Sequence, residues 1–272
     1  QTNHTVATVG FDSVILSNAE WKTICNAIRK RNAQSSIMDY FQLTECFVGG
    51  ISPDMLDDIL TSKAAAIDLE MNEMSSRESL IIAEHLASNP PLDLLTLKGN
   101  RFDDTDAAFL ANSLSSNTTL LGLHVDGNDI KEEGRISFLR AIWDVTSLAS
   151  CIASNHTCQI FGLEQDISDL NCHPEASYNK WTKIFAMLVL SREDSFVNTA
   201  LLSGVPASLM PVLLYRANDQ EEGSPQITDS YLELTGAKRC RKHDVWDNLE
   251  HTRLLSCVYE LVREWVAPSI YV

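Results

Sequence analysis

The chain has 272 residues, of which 44% are hydrophobic and 21% charged, enough for one large domain or two modest ones with a packed core. Its 37 acidic and 21 basic residues give a formal net charge of −16, so we do not expect it to bind the phosphate backbone of nucleic acids. No apolar run approaches the roughly 20 residues that a membrane-spanning helix needs.

The cysteines and the first residues bear on the cellular location. Seven cysteines occur at irregular spacings, several of them at apolar positions, which favours reduced, buried thiols and an intracellular protein of unspecified compartment. Three Asn-x-Thr sequons, beginning at Asn3, Asn117 and Asn155, would favour the secretory route instead. The first residue is not Met, so we expect an N-terminal targeting segment to be removed or not included.

The first predicted strand–helix units fall in residues 6–37 and in the 26 residues that begin at Met38. The first unit is the weaker one and carries Val9 and Phe11 at strand spacing. The second has apolar residues at similar offsets (Phe41, Leu43, Val48, Leu56 and Leu60) and Cys46 at a position where later units have asparagine.

Three units of 28 residues follow without a gap, beginning at Ala64, Leu92 and Leu120. Each begins with apolar residues at strand spacing and continues at helical spacing, which predicts a short strand, a turn and a helix. A period of this length predicts a solenoid of stacked units. The matching apolar positions are Ile67, Leu69, Met74, Ile82 and Leu86; Leu95, Leu97, Phe102, Leu110 and Leu114; and Leu123, Val125, Ile130, Phe138 and Ile142.

Local signals mark two helix starts and one polar position within these units. Ser52-Pro53 predicts a helix that begins at Pro53, and Ser75 with Glu78 has capping-box spacing. An asparagine recurs at the end of each predicted strand, where buried backbone groups lack a sheet partner. We therefore predict a structural asparagine ladder of Asn72, Asn100 and Asn128, with no catalytic role.

The pattern L-x-x-L-x-L-x-x-N-x-L with its 28-residue period resembles the leucine-rich repeats of the ribonuclease-inhibitor type. The resemblance covers residues 38–147, with weaker cover from residue 6, and Cys46 fits because that family accepts Cys at the asparagine site. It implies an α/β fold over residues 1–147: a right-handed leucine-rich-repeat solenoid of about four to five short strand–helix units, with a concave parallel sheet and outer helices. It also implies protein binding as the usual role.

The rest of the chain is predicted to cap the solenoid. Residues 148–176 form a junction, and the strand-like opening of "TSLASCIASNHTCQIF" at 146–161 predicts an atypical last strand. Residues 177–272 form an α-helical C-terminal cap with helices over 177–191, 192–204 and 205–217. The aperiodic, polar stretch 218–245 predicts a long loop or a partly ordered insertion. A final helix with a broad apolar stripe is predicted over about 247–266.

The C-terminal region carries a second resemblance. The segments "TSLASCIASNHTC" and "VPASLMPVLL" and the ending "VREWVAPSIYV" are similar to the C-terminal region of a leucine-rich-repeat family expanded in diatoms. In that family a helical tail ends near a Trp-x-x-Pro-x-x-Tyr element, which Trp265, Pro268 and Tyr271 match. The loop at 218–245 is longer than the family pattern.

Two clusters invite a catalytic or metal-binding interpretation. His156, Cys158, Cys172 and His173 have zinc-ligand chemistry, but adjacent Cys172 and His173 rarely both reach one ion, so we expect structural roles and no metal or cofactor. In "KRCRKH", neighbouring positive charge could activate the Cys240 thiol, although a solvated loop is the expected state. The sequence has no phosphate-binding glycine loop, G-x-S-x-G or H-E-x-x-H motif, so we expect no enzyme.

The polar strand residues of the predicted concave face remain as the candidate partner-binding site. One row is Gln42, Asp68, Thr96 and His124, and the next is Thr44, Glu70, Lys98 and Asp126. The sequence therefore predicts a non-catalytic protein-binding or scaffold module whose partner is a protein. The alternative is a permanent subunit of a larger assembly, docked through the helical tail or the 218–245 loop.

Overall fold

A computed structural model describes residues 6–34, 37–191, 208, 210–217, 224–240, 243, 244 and 247. The chain divides into two compact units, residues 1–142 with 157–171 and residues 143–156 with 172–272. The first unit contains a six-stranded parallel sheet whose strands follow one another in sequence order. Its strands are β1 (Thr8–Asp12), β2 (Tyr40–Thr44), β3 (Ala66–Asp68), β4 (Leu94–Thr96), β5 (Gly122–His124) and β6 (Gln159–Phe161).

Each of the first five strands is followed by a helix, so the first unit has an α/β fold in which strands and helices alternate. A 3-10 helix, Ser168–Asn171, follows β6. The helices are α1 (Asn18–Asn32), α2 (Pro53–Leu60), α3 (Ser76–Ala87), α4 (Asp104–Leu114) and α5 (Glu132–Ile142).

The sheet register reproduces the sequence period. Ala66 pairs with Leu94, and Leu94 pairs with Gly122, so two successive strands each advance by 28 residues. The inward positions of this register are filled by large apolar side chains that are at most 1% exposed: Phe41, Ile67, Leu95, Leu123 and Ile160. Burying such a side chain contributes about 1.5–3 kcal/mol, so this row is a major source of stability.

The predicted burial of Val48 is wrong. Val48 is 80% exposed, whereas Ile51 is fully buried. The unit that begins at Met38 is shorter than its neighbours, and its loop turns at Gly49 and Gly50, whose φ angles are 80° and 91°. The altered turn carries Val48 outward and brings Ile51 into the core.

The helix starts follow the predicted signals. α2 begins at Pro53, directly after Ser52. At the start of α3, the Glu78 carboxylate accepts a hydrogen bond from the Ser75 backbone N–H at 2.9 Å. Carboxylates also join neighbouring units, because Asp104 Oδ1 accepts from the backbone N–H groups of Lys131 and Gly134 at 2.6 and 3.0 Å. These bonds satisfy N–H groups that a helix leaves without an internal partner.

The described part of the second unit is helical: α6 (Leu148–Ala153), α7 (Ala176–Leu190), α8 (Met210–Ala217) and α9 (Pro225–Thr235). α7 buries Ile184, Phe185, Met187 and Leu188, and it packs against α9. The predicted segment 192–204 lies outside the described residues, as does the predicted final helix over 247–266 apart from Asp247.

Two predictions for this half of the chain need correction. The atypical last strand predicted within residues 148–176 is present as β6, but it begins only at Gln159. The opening of residues 146–161 is instead helix α6, whose cap is the Ser147 hydroxyl, which accepts from the Ser150 N–H at 3.0 Å. The predicted loop 218–245 contains α9, which starts after Ser224 at Pro225 and ends at Gly236 with a φ of 66°. Those two residues are strong helix start and stop signals.

No helix among the described residues is long and apolar enough to cross a membrane.

Candidate functional site

The eight predicted face residues lie together on one side of the sheet, which we call the outer face. Gln42, Asp68, Thr96 and His124 are register partners across β2–β5, and Phe161 of β6 continues the row. The second row lies at the ends of the strands, where backbone hydrogen bonds keep adjacent repeats in register. The Glu45 N–H donates to the Glu70 carbonyl, the Met71 N–H to the Lys98 carbonyl, and the Gly99 N–H to the Asp126 carbonyl. Neighbours in each row are therefore about 4.8 Å apart.

Two of these eight residues offer almost no accessible surface. Asp68 is 5% exposed and Thr96 is 7% exposed, so they are poor direct contacts for a partner. Asp68 is enclosed by its own hydrogen bonds, which it accepts from the Tyr40 hydroxyl at 2.7 Å and from the Glu70 N–H at 3.0 Å. The other six are half-buried and accessible.

Tyr40 is a residue of this face that the sequence analysis missed. Burial raises the pKa of its hydroxyl, and the hydrogen bond to Asp68 and the charges of Asp68 and Glu70 raise the pKa further. The hydroxyl therefore stays protonated at neutral pH and acts as a donor toward Asp68. Its position two residues before Gln42 on the same strand is the signal that could have placed it on this face.

The β4–β6 half of the outer face also carries apolar groups that the sequence analysis missed. Leu94 extends over Gly122, where an added Cβ would lie 2.7 Å from Leu94 Cδ1. The rings of His124 and Phe161 stack with centroids 4.5 Å apart. Because β5 carries no side chain at Gly122, this patch of Leu94, His124 and Phe161 is continuous across three strands.

The β1–β3 half carries carboxylates that lack ionic partners. The Ser13 hydroxyl lies within hydrogen-bonding distance of Asp12 Oδ1 and Glu45 Oε2, 2.9 Å from each. Neither these carboxylates nor Glu70 forms an ion pair with any Lys, Arg or His of the described chain. Several carboxylates elsewhere in this unit are paired with arginine: Asp58 with Arg29, Glu73 with Arg101, Glu78 with Arg77 and Glu132 with Arg135.

The asparagines lie behind the second row and bond to the backbone of adjacent units. Asn100 Oδ1 accepts from the N–H groups of Asn72 and Met74 at 3.0 and 3.1 Å. Its Nδ2 donates to the carbonyls of Leu69 and Leu97 at 3.0 and 2.9 Å. Each amide thus pairs backbone groups that would otherwise be buried without a partner.

Asn72 and Asn128 occupy the same place in their units. Asn72 Oδ1 accepts from Cys46 N–H at 2.9 Å, and Asn128 Oδ1 accepts from Phe102 N–H at 3.1 Å. In the repeat that begins at Met38, the equivalent position is Cys46, whose thiol lies 3.3 Å from the Thr44 carbonyl and 3.5 Å from the Phe11 carbonyl. The thiol donates as the amide does, but more weakly.

The residue before each ladder position (Cys46, Asn72, Asn100 and Asn128) has a left-handed backbone conformation, which a sequence signal could have shown. Glu45, Met71, Gly99 and Gly127 have φ between 53° and 68°. Gly162, which follows β6, has a φ of 89°, and a Cβ there would lie 2.3 Å from Asp126 Cγ. Glycine is required there for both reasons, and the Gly-Asn pairs of the later units mark the same turn.

The residues considered for zinc do not form a metal site. Among the described residues, no group of three or more His, Cys, Asp or Glu is arranged to hold a metal ion. Cys158 is fully buried, and burial raises its pKa. His173 Nδ1 accepts from the Glu175 N–H at 3.0 Å and its ring stacks on Tyr178. Burial lowers the pKa of His156 to about 3, so this side chain is neutral at physiological pH.

Cys240 and His243 form a local turn at the end of the described chain. His243 Nδ1 accepts from the Cys240 N–H at 3.0 Å, and His243 Nε2 lies 4.0 Å from the Cys240 sulfur. His243 is 2% exposed. Arg239 of the same basic stretch pairs with three acids, Asp229, Asp244 and Asp247, which stabilise the turn.

A scan against protein-family models finds no match, and a search of the curated proteins finds none either. The resemblance to leucine-rich repeats therefore rests on the residues and register of this chain.

Proposed function

We propose that this chain is a non-catalytic protein-binding module of the leucine-rich-repeat type, which recognises a protein partner through the outer face of its sheet. The finer fold belongs to the same proposal: a right-handed solenoid with the outer face on its concave side, related to the diatom-expanded family with a helical C-terminal region. The 28-residue register and the asparagine bonds between units support the repeat interpretation.

One observation carries the functional part of the proposal. Two rows of polar side chains stand in register on the outer face, and the carboxylates of Asp12, Glu45 and Glu70 have no ionic partner in the described chain. Such groups provide directional hydrogen bonds and unneutralised charge to a protein surface of opposite charge.

The non-catalytic part of the proposal is supported by the state of the thiols. Burial raises the pKa of Cys25 and of Cys151 to about 11, so both are protonated and poorly nucleophilic at neutral pH.

A charge reversal across two adjacent strands tests the function. We compare capture of partners from native lysate by the wild type and by Glu70→Lys with Lys98→Glu, which keeps the net charge. A matched control exchanges exposed helix residues, Lys30→Glu with Glu84→Lys. We expect a partner that binds the wild type and the control and is lost with the outer-face variant. A partner retained equally by all three contradicts recognition through this face.

A further inference from the structure

The outer face differs in chemistry between its two halves. The strand residues of β1, β2 and β3 include no Lys, Arg or His, and this half carries Asp12, Glu45, Asp68 and Glu70. The β4–β6 half carries the patch of Leu94, His124 and Phe161. Beside this patch lie Lys98 and Asp126 of the second row, whose opposite charges offset each other. A ligand that covers the whole face therefore meets net negative charge at one end and an apolar patch without net charge at the other.

The negative end is available to a ligand. Asp12 and Glu45 are exposed and Glu70 is half-buried, so all three can contact a bound group directly. The contact of the Ser13 hydroxyl with both Asp12 and Glu45 holds these two carboxylates near each other. Asp68 is inaccessible, but its charge adds to the potential at the Tyr40 and Gln42 positions.

The shape of the apolar end depends on the missing side chain of Gly122 as well as on the side chains around it. Gly122 lies between Leu94 of β4 and Gln159 of β6 in the register, and Leu94 Cδ1 and Phe161 Cε2 are the side-chain atoms nearest to its virtual Cβ. His124 retains 33% of its side-chain exposure while stacked on Phe161. Half-buried rings of this kind are suitable contacts for an aromatic or large aliphatic group.

We infer that the outer face binds an extended protein segment that has Lys or Arg residues at one end and an aromatic or large aliphatic residue at the other. The basic residues contact Asp12, Glu45 and Glu70, and the apolar residue packs on Leu94, His124 and Phe161. This inference rests on the proposed function and names the class of partner. Six strands span about 24 Å, which an extended segment of about seven or eight residues covers.

Charge complementarity selects this partner over an acidic one. A segment with Asp or Glu at the same positions would face three carboxylates that form no ion pair in the described chain, and only Glu70 has a cation, Lys98, as its neighbour in the row. Like-charge contacts of this kind disfavour binding and slow association, whereas Lys and Arg are attracted over several ångströms.

Fluorescence anisotropy with four labelled octapeptides tests the inference. One peptide has Lys at three alternate positions followed by Phe, with Ser elsewhere; the others replace Phe by Ser, replace Lys by Glu, or scramble the order. We expect the Lys–Phe peptide to bind most tightly and its affinity to fall as salt is raised. Backbone amide shifts on binding are expected in both halves of the face, from β1 to β6.

Variants of the protein test the acidic end of the face. Glu45→Gln with Glu70→Gln is expected to weaken the Lys–Phe peptide about three- to tenfold, because each exposed ion pair contributes modestly. Glu84→Gln with Glu133→Gln, which removes the same charge from exposed helix positions, is expected to leave its affinity unchanged. The apolar end is tested by the peptide in which Ser replaces Phe. This test needs no variant of the protein, so a folding defect cannot explain a loss of affinity.

The outcomes separate this inference from the proposed function. If the Lys–Phe peptide binds no better than the Glu or scrambled peptides, or if its shifts lie away from the outer face, the inference is wrong. If partners from lysate are nevertheless lost with Glu70→Lys and Lys98→Glu, the proposed function stands with another class of partner. If those partners persist and the peptides do not discriminate, both fail.

Discussion

Asn100 shows how a single amide connects neighbouring units. It accepts from the Asn72 and Met74 N–H groups and donates to the carbonyls of Leu69 and Leu97. A leucine of similar volume can make none of these bonds, so buried backbone groups in two units would lose their partners. The period of the sequence was enough to predict this role.

We expect Asn100→Leu to lower the free energy of unfolding by about 1–3 kcal/mol or more, measured by urea denaturation followed by circular dichroism. The control is Asn112→Leu, at an exposed position of α4, where the expected change is within about 0.5 kcal/mol. Equal stability of Asn100→Leu and the wild type would show that these bonds do not hold the units together.

Lys183 is a buried cation that the sequence analysis did not single out. It is fully buried in α7, its Nζ donates to the Asn155 carbonyl at 3.2 Å, and burial lowers its pKa to about 7. Its place in the apolar run "KIFAMLVL" gave no indication of its environment, because a lysine in such a run usually extends its amine to solvent.

The lowered pKa of Lys183 predicts a pH dependence of stability. Below about pH 7 the folded and unfolded states both bind the proton, and burying the charge carries its full cost. Above about pH 7 the folded state releases the proton while the unfolded lysine keeps it, so the free energy of unfolding should rise, by at most about 1.4 kcal/mol per pH unit. Urea denaturation of wild type and Lys183→Met between neutral and alkaline pH measures this, and identical slopes would contradict it.

At the scale of elements, periodic segments were predicted and short segments with other signals were not. The strands and helices of the 28-residue units follow from two alternating periods in the sequence. α6 was missed because its six residues are too few to show a helical period, and α9 was missed because polar residues interrupt its apolar pattern. Only local signals remain: Ser147 at the start of α6, and Pro225 and Gly236 at the ends of α9. Weighing start and stop signals independently of period would have found both.

The helix α9 can be distinguished from a loop by limited proteolysis with chymotrypsin. Tyr231 is 6% exposed and packs 6.1 Å from the Trp143 ring, so cleavage after Tyr231 should be slow in the folded protein. Ser230→Pro, which breaks the helix interior at a cost of about 3 kcal/mol, should make that site readily cleaved. Equally rapid cleavage of both proteins would show that residues 225–235 are not a stable helix.

At the scale of the whole molecule, the rows of the outer face were predictable and their accessibility was not. Strand alternation assigns Gln42, Thr96 and His124 to one row. The burial of Asp68, however, depends on a hydrogen bond from Tyr40 of the neighbouring strand, and the apolar patch depends on the bare backbone of Gly122. Both are contacts between units, which the pattern of a single unit does not contain.

Function follows from the fold even less directly, because one architecture supports many activities. The acidic composition of the whole chain is equally compatible with solubility alone. What distinguishes the outer face is local: the Ser13 hydroxyl holds the Asp12 and Glu45 carboxylates together at one end, and the rings of His124 and Phe161 stack at the other.

Hydrogen exchange of the partner complex captured from lysate tests the central claim most directly. We compare amide exchange of the chain alone and in the complex, peptide by peptide. The account predicts slower exchange in the complex for the peptides that contain β2–β5 and the turns at Glu70, Lys98 and Asp126, with α9 unchanged. Protection confined to α9 or to the C-terminal residues, with β2–β5 unchanged, would contradict recognition through the outer face and favour an assembly subunit docked through its tail.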